Sequence, residues 1–375
     1  MRYSVYIADP FGNFLAPLSQ SGFVGDPNAA SSIKWSRSTN DIGVAVVTVA
    51  GTLAPELVTI DNQLYIYRKP LNGSPKLLTG TSWIIRRYRL LLDDNGQQYT
   101  EITALSGSYL LTSRGIAYYA DTAQTNKTAA ADNMMKEIVR ENLGSSATDT
   151  TRSLSPTIFS VQADSSRGPT IERRFAWRSN MLTVLQELAD ASRIAGTYIA
   201  FDLIRDSQTT WQFQTFAGQR GTDRRIGSSL PLMLGPEYGN LTRVEYMVDW
   251  VDHANSVYSL GQGEGAGRIF GTAVDTVRAG ASPVARREAM VEARNTDDAG
   301  ALTAAAQAAL RDRRPRTTWR GRIVTTPNTQ YDVDWAWGDF VTVQAFGQTI
   351  DARIDAISVT MENGVEDIDA WIRSD

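Results

Sequence analysis

The sequence predicts a mainly β protein with an α+β insertion in its middle. Three observations predict it. Short β-branched and aromatic runs, separated by turn residues, fill the N-terminal stretch and return in the last third. Helical periodicity is strongest between them. The two β-rich stretches also repeat an order: a short strand, a loop, a long strand, an Asn-Gly turn and a return strand.

In the first block, residues 1–111, Tyr3, Val5 and Ile7 alternate at once and put one apolar face on a strand. Val44 to Val49 and Leu64 to Tyr67 are strands by composition. A long strand is expected from about Leu77 to Leu92. It ends at Asp94-Asn95-Gly96, where Asn and Gly accept the positive φ of a two-residue hairpin turn. Tyr99 to Leu105 is the return strand. Closely spaced strands without long helices read as a barrel or a sandwich.

The middle, residues 112–235, changes period. Met134, Met135, Ile138 and Val139 make one face of a helix from Asp132 to Leu143, with Gly144 as its stop. Residues 145–170 are rich in Ser and Thr and read as irregular. A second helix runs from Ser179 or Asn180 to Ala195, with Leu182, Leu185, Leu188 and Ala189 inward and Gly196 after it. A hairpin of Tyr198–Ile204 and Trp211–Phe216 follows.

The last block, residues 236–375, returns to strands at Asn240–Trp250, Ser256–Leu260, Trp319–Thr325, Phe340–Ala345, Thr349–Met361 and Ile368–Ile372. A flanking helix is expected at about 296–314. Asp297 and Asp298 in its first turn and Arg311, Arg313 and Arg314 in its last suit the helix dipole, and Pro315 ends it. The repeat aligns Leu64-Tyr65-Ile66-Tyr67 with Phe340-Val341-Thr342-Val343, Asn95-Gly96 with Asn363-Gly364, and Glu101–Leu105 with Asp367–Trp371.

Composition narrows function. A chain of 375 residues suits two or three domains and buries ample core. The absence of Cys removes disulfides, Cys-ligated metals and thiol nucleophiles. A formal net charge of −4 is not the basic excess of a nucleic-acid-binding domain. Of 37 cations only five are Lys. Arg desolvates readily and suits protein interfaces, and codon usage in a GC-rich genome gives the same bias. No apolar run reaches a membrane span, and the N-terminus has no signal-peptide pattern, so manufacture in a cytoplasm is expected.

Catalytic signals are thin. The single histidine, His253, lies in Asp249-Trp250-Val251-Asp252-His253 without metal-ligand spacing, and no nucleophile elbow accompanies it. It reads as a strand-end residue near solvent. The loop Gly261-Gln262-Gly263-Glu264-Gly265-Ala266-Gly267 follows a strand like a dinucleotide fingerprint, but Arg268–Gly271 reads as strand, not helix. It reads as a β connection. No cofactor motif is present, and a non-enzyme is expected. Two basic clusters remain: Arg220, Arg224 and Arg225, and then Arg311, Arg313, Arg314, Arg316, Arg320 and Arg322. Subunit contacts rank first for them, solvated surface second and nucleic acid third. The second cluster is the candidate subunit interface.

Order and texture together carry a resemblance. Trp35-Ser36-Arg37-Ser38, Leu64-Tyr65-Ile66-Tyr67-Arg68 and Gly80-Thr81 come first. Ala131 to Val139 and Asn142-Leu143-Gly144 follow, then the Leu182–Ala195 helix and a Trp-Gln-Phe hairpin. Gly221-Thr222-Asp223-Arg224-Arg225, Ser259-Leu260-Gly261 and Gly338-Asp339-Phe340-Val341 close the series. In this the chain resembles the tail hub proteins of siphophages, also called baseplate hub or tail-tip hub proteins.

The resemblance implies two tail-tube-like β-barrel domains, 1–111 and 236–375, with the α+β domain 112–235 inserted between them. It implies a structural subunit at the virion tail tip, assembled in the host cytoplasm. Three chains would form a pseudo-sixfold ring that continues the tail tube. The implied partners are further copies of itself in a homotrimer, the distal tail protein, a tip, fibre or spike protein, and the tape-measure protein. DNA would meet it only in transit through the lumen, and no membrane anchoring is expected. Larger relatives append receptor-binding or wall-degrading domains, for which this chain leaves no room after its last strand. Two rivals stand beside this reading: a carbohydrate-binding or hydrolytic tail protein at the host surface, and a distal tail ring protein.

Overall fold

The computed structural model describes residues 2–18, 30–70, 73–117, 124–176, 180–294, 297–362 and 364–373. The chain divides into two compact units. Residues 1–193, 197–244 and 320–374 form the larger, and residues 194–196 and 245–319 belong to the smaller.

The architecture is mainly β. In one sheet the strands follow the order Leu241–Asp249, Arg316–Ile323, Val365–Arg373, Gln348–Glu362, Ala30–Ser38, Val44–Ala50, Gln98–Ser106, Trp83–Leu92, Gln63–Lys69, Arg2–Ala8, Phe14–Pro17. The expected alternation is present: Tyr3, Val5 and Ile7 are buried, and so are Ala45, Val47 and Val49.

Two closed barrels are not what these ladders form. Among the described residues no sheet closes on itself, and the N-terminal and C-terminal strands share one ladder. The reason lies in the 15-residue strand Gln348–Glu362. Its first part pairs with Phe340–Ala345, and its second part runs on beyond that partner. There Ala356 to Glu362 take up Ser38 to Ser32 in antiparallel register. An edge that would have to find its own block for closure is taken by the other block.

The two blocks nonetheless have one strand order. Reading Gln63–Lys69, Trp83–Leu92, Gln98–Ser106, Val44–Ala50, Ala30–Ser38 in the first matches Phe340–Ala345, Gln348–Glu362, Val365–Arg373, Arg316–Ile323, Leu241–Asp249 in the second. Both long strands carry a bulge against their return strand, between Ile85 and Arg87 in one and between Ile354 and Ala356 in the other. Aligned on the bulge, Trp83, Ile84 and Ile85 fall on Ala352, Arg353 and Ile354, all buried. Leu64 then corresponds to Val341, because they pair with Trp83 and Ala352. The sequence alignment of this strand was one residue off, and that of the return strands two.

Local differences have local causes. The strand expected from Leu77 breaks at Leu78–Gly80, where Thr79 and Gly80 take positive φ. The Asn95-Gly96 turn is longer than two residues: Leu92 pairs with Gln98, and Asp93 bonds the backbone NH groups of Asn95 and Gln97. Its counterpart Asn363 lies outside the described residues, as do Ser179 and Thr296, the expected starts of two helices.

The helices Ala131–Asn142 and Met181–Ile194 pack Met134, Ile138, Leu185 and Leu188 with Phe201, Trp211 and Phe213 of the expected hairpin. That hairpin pairs Ile199–Arg205 with Trp211–Ala217, and Phe159–Val161 adds a parallel strand. The Ser/Thr-rich stretch therefore holds more β structure than its composition suggested. Thr170–Ala176 also pairs with Gln124–Ala130.

The smaller unit has its own sheet. Ser256–Leu260 pairs antiparallel with Phe270–Val274 and parallel with Glu288–Glu292. The glycine loop is the β connection expected, joining two antiparallel strands. The helix Ala299–Asp312 caps itself with Asp298, which accepts from the NH groups of Gly300 and Ala301. Its core is made of small side chains, Ala254, Val257, Ala273 and Ala306. Gly271 lets the helix approach, since a Cβ there would lie 2.4 Å from the Leu302 carbonyl carbon.

Candidate functional site

The structure separates the basic residues that sequence grouped together. Arg220, Arg224 and Arg225 are committed within the chain. Arg220 pairs with Asp202 at 2.6 Å, Arg224 with Asp339 at 2.7 Å and Arg225 with Asp223 at 2.8 Å. Little of the first two is left for an outside anion, since Arg220 and Arg224 expose 14% and 16% of their side chains.

The second cluster also divides. Arg311 lies in the last turn of the Ala299–Asp312 helix, and its carbonyl accepts from Arg314 Nε at 2.9 Å. Arg313, Arg314 and Arg316 line a cleft of the smaller unit together with Asp249, Asp252, His253 and Asp312. The carboxylates that so dense a cationic group requires are thus partly supplied by the chain itself. Arg320 and Arg322 lie in the larger unit. Arg320 stacks on Trp371 at 4.8 Å, and Arg322 pairs with Asp367. Among the described residues, no three His, Asp or Glu side chains converge as a metal site.

Two buried ion-pair knots went unnoticed in the sequence. In the first, Asp202 accepts from Arg37 Nη2 at 2.6 Å and from Arg220 Nε and Nη2 at 2.9 and 2.6 Å. Both guanidinium groups lie over Trp337, at 4.6 and 4.2 Å from the ring centre. Burial pushes the Asp202 pKa up, but Arg37 and Arg220 outweigh it and hold the carboxyl below its usual range. The knot joins residues from all three sequence blocks. One signal did point to it: Arg37 has the same strand parity as Ile33 and Trp35, and so faces inward.

In the second knot, Arg68 grips Glu366 through Nε and Nη2 at 2.8 and 2.7 Å and donates to the Tyr331 carbonyl at 2.6 Å. Tyr3 also donates to Glu366. Asp332 stands 3.7 Å from Arg68 without the same satisfaction. Burial raises its pKa to about 6, against the pull of Arg68 and Lys76. Both knots tie the first block to the last, which is what a stiff structural element needs.

Among the described residues, two long strand edges have no ladder partner. From Arg87 to Leu92 the long strand pairs with Gln98–Thr103 on one side, and on its other side the described backbone bonds stop at Ile85. Tyr88, Leu90 and Leu92 are exposed there at 46%, 57% and 69%. Leu241–Asp249 ends the sheet path, with Tyr246 and Met247 exposed. Natural proteins rarely leave long apolar edges open.

The family described as Siphovirus ReqiPepy6 Gp37-like protein matches residues 23–372. The chain belongs to this family of siphovirus tail proteins. Solved phage tail proteins have the same fold. The 43 kDa tail protein of prophage MuSo2 from Shewanella oneidensis superposes with a TM-score of 0.60 at 11% identity, over 99% of this chain and 98% of that one. A tail protein from Neisseria meningitidis MC58 gives 0.58 at 12%, over 100% and 97%. The prophage tail protein gp18 of Listeria monocytogenes EGD-e gives 0.55 at 14%, over 99% and 94%. No curated protein sequence matches. The chain is accordingly a structural component of a phage tail. No helix among its described residues is long and apolar enough to cross a membrane.

Proposed function

We propose that this tail protein is the hub subunit at the tail tip, and that three copies form a ring continuing the tail tube. The observation that carries this reading is the repeated strand order. One chain holds two copies of a five-strand arrangement, with the same bulge in the same place. Three such chains present six equivalent modules, the number that a sixfold tube would meet. In this reading residues 1–111 and 236–375 are the tube-like domains and 112–235 the domain inserted between them. Closure of the tube-like walls would come from the ring itself.

The hub would contact the distal tail protein on one side and a tip, fibre or spike protein on the other. The tape-measure protein would end at it, and DNA would pass through its lumen. Three copies carry a formal −12, so phosphate would be weakly repelled and would slide. Arg311, Arg313, Arg314, Arg316, Arg320 and Arg322 are the side chains proposed to meet neighbouring subunits. The role is passive and needs neither cofactor nor catalysis.

Cryo-electron microscopy of the isolated tail tip tests the reading. It expects three copies in a pseudo-sixfold ring coaxial with the tube. Six copies in a ring, or a peripheral position, would instead favour the distal tail ring or the host-surface protein. Clearing of peptidoglycan or capsule in a gel, abolished by one Asp or Glu substitution, would favour a hydrolase.

A further inference from the structure

The smaller unit holds a cleft of about 470 Å³, lined by Trp250, His253, Asn255, Arg278, Arg287 and Pro315 among others. That volume is ordinary for a small-molecule site, roughly 300–1,000 Å³. Trp250 is 62% exposed there. Val251, Val277 and Val284, chain neighbours of lining residues, are exposed as well. The lining carries two guanidinium groups and no carboxylate, although the whole chain is acidic. Arg278 has Asp275 at 3.6 Å. Arg287 bonds the carbonyls of Val284 and Arg286, at 2.7 and 3.2 Å, and pairs with no carboxylate among the described residues.

One buried side chain fixes the walls. Asn255 donates from Nδ2 to the Ala285 carbonyl at 2.7 Å, and its Oδ1 accepts from the Arg287 NH at 2.8 Å. Its own NH donates to the Arg287 carbonyl at 3.0 Å, and its carbonyl accepts from the NH of Asp275 at 2.9 Å. The loops around the cleft are thereby held in place before a ligand arrives, which lowers the entropy cost of binding. Their backbone is also occupied. The carbonyls of Val284, Ala285, Arg286 and Arg287 all accept bonds within the chain. An extended peptide, which binds through a backbone ladder, finds them taken. What the cleft offers instead is an indole face and two guanidinium groups.

We infer that this cleft binds an acidic saccharide, with one sugar ring on Trp250 and its anionic group on Arg287. The electron-rich face of an indole attracts the weakly positive C–H bonds on the face of a sugar ring. A guanidinium group matches a carboxylate, sulfate or phosphate with two parallel N–H bonds. Arg278 adds charge to the same end of the ligand class. A nucleic acid fits less well, since its sites combine a basic groove along several phosphates with successive stacked bases. The inference adds a ligand to the smaller unit and does not rest on the hub reading.

A glycan array probed with the full chain tests it. The array carries oligosaccharides with carboxylate, sulfate or phosphate groups beside neutral ones of equal length. At least one acidic glycan should be held about tenfold or more tighter than its neutral counterpart. Trp250→Ala and Arg287→Gln should each weaken that glycan about tenfold or more in calorimetry. Both side chains are exposed, so the melting temperature should not move. Arg286→Gln removes the same charge next door, from a side chain that pairs with Glu288 at 2.7 Å. It should change affinity by less than about twofold. Three results overturn the inference. One is an array without preference for any acidic glycan. Another is equal loss in Arg286→Gln and Arg287→Gln, which would mean attraction by general charge. The third is tighter binding of oligothymidylate or oligoglutamate than of every glycan. None of these results alters the number or place of subunits seen by microscopy, so the hub reading stands or falls separately.

Discussion

Asp332 offers a quantitative test of the second knot. Its carboxyl is buried beside Arg68, 3.7 Å away, and its pKa rises from 3.8 to about 6. At 1.36 kcal/mol per pH unit, that rise corresponds to about 3 kcal/mol of strain on the charged form. The folded state holds this proton more tightly than the unfolded chain. The group's contribution to stability is therefore favourable at low pH, falls as pH rises from about 4 to about 6, and is constant above. Asp332→Asn removes the charge and keeps the shape. Asn tolerates the positive φ of 63° at this position. The bond from Lys76 goes to the Asp332 backbone carbonyl and survives the change. The variant should be about 3 kcal/mol more stable than wild type at pH 7. For a unit of this size that is roughly 4–5 °C in melting temperature. Below pH 4 the two should melt together. The assay is differential scanning fluorimetry of both proteins across this range, read as their difference, which cancels every other titrating group. A variant less stable at pH 7, or a difference that does not change with pH, would refute the argument.

Three further outcomes are expected. Asp202→Ala leaves Arg37 and Arg220 buried without their anion and should cost about 3–5 kcal/mol in urea unfolding, whereas Asp223→Ala, at a half-exposed pair, should cost under about 1 kcal/mol. Gly271→Ala should push the Ala299–Asp312 helix away from its sheet at a cost of about 1–3 kcal/mol, and amide exchange should speed up across 256–292 more than in the larger unit. Arg313, Arg316 and Arg320 changed together to Glu should weaken self-association in light scattering with little change in melting temperature; unimpaired assembly would mark these side chains as ordinary surface.

What could be read from the sequence follows the range of the interactions. Tyr3, Val5 and Ile7 announce their strand through neighbours two residues apart, and both long helices announce themselves through neighbours three and four apart. Gly196 and Asp298 mark helix ends by chemistry that acts within one turn. The break at Leu78–Gly80 was within reach too, since Thr-Gly is a turn pair. Partner choice is another matter. Nothing near Ser32–Ser38 says that it pairs with Ala356–Glu362, because an edge strand's backbone groups are alike whichever strand meets them. The same holds for Asp202, which reads as a polar interruption between Phe201 and Leu203 until Arg37 and Arg220 arrive from elsewhere. The basic residues share that limit: their order in the sequence does not show that Arg320 stacks on Trp371 or that Arg322 pairs with Asp367.

The ladder between Ser32–Ser38 and Ala356–Glu362 also sets a timetable. At roughly 5–20 residues per second, a ribosome takes about 15–60 s to travel from one strand to the other. Throughout that interval Ser32–Ser38 has Val44–Ala50 on one side and waits for its partner on the other. Ala30–Ser38 has the same place in its block as Leu241–Asp249 has in the later one. The first block thus keeps one edge unfilled until the end of the chain has been made.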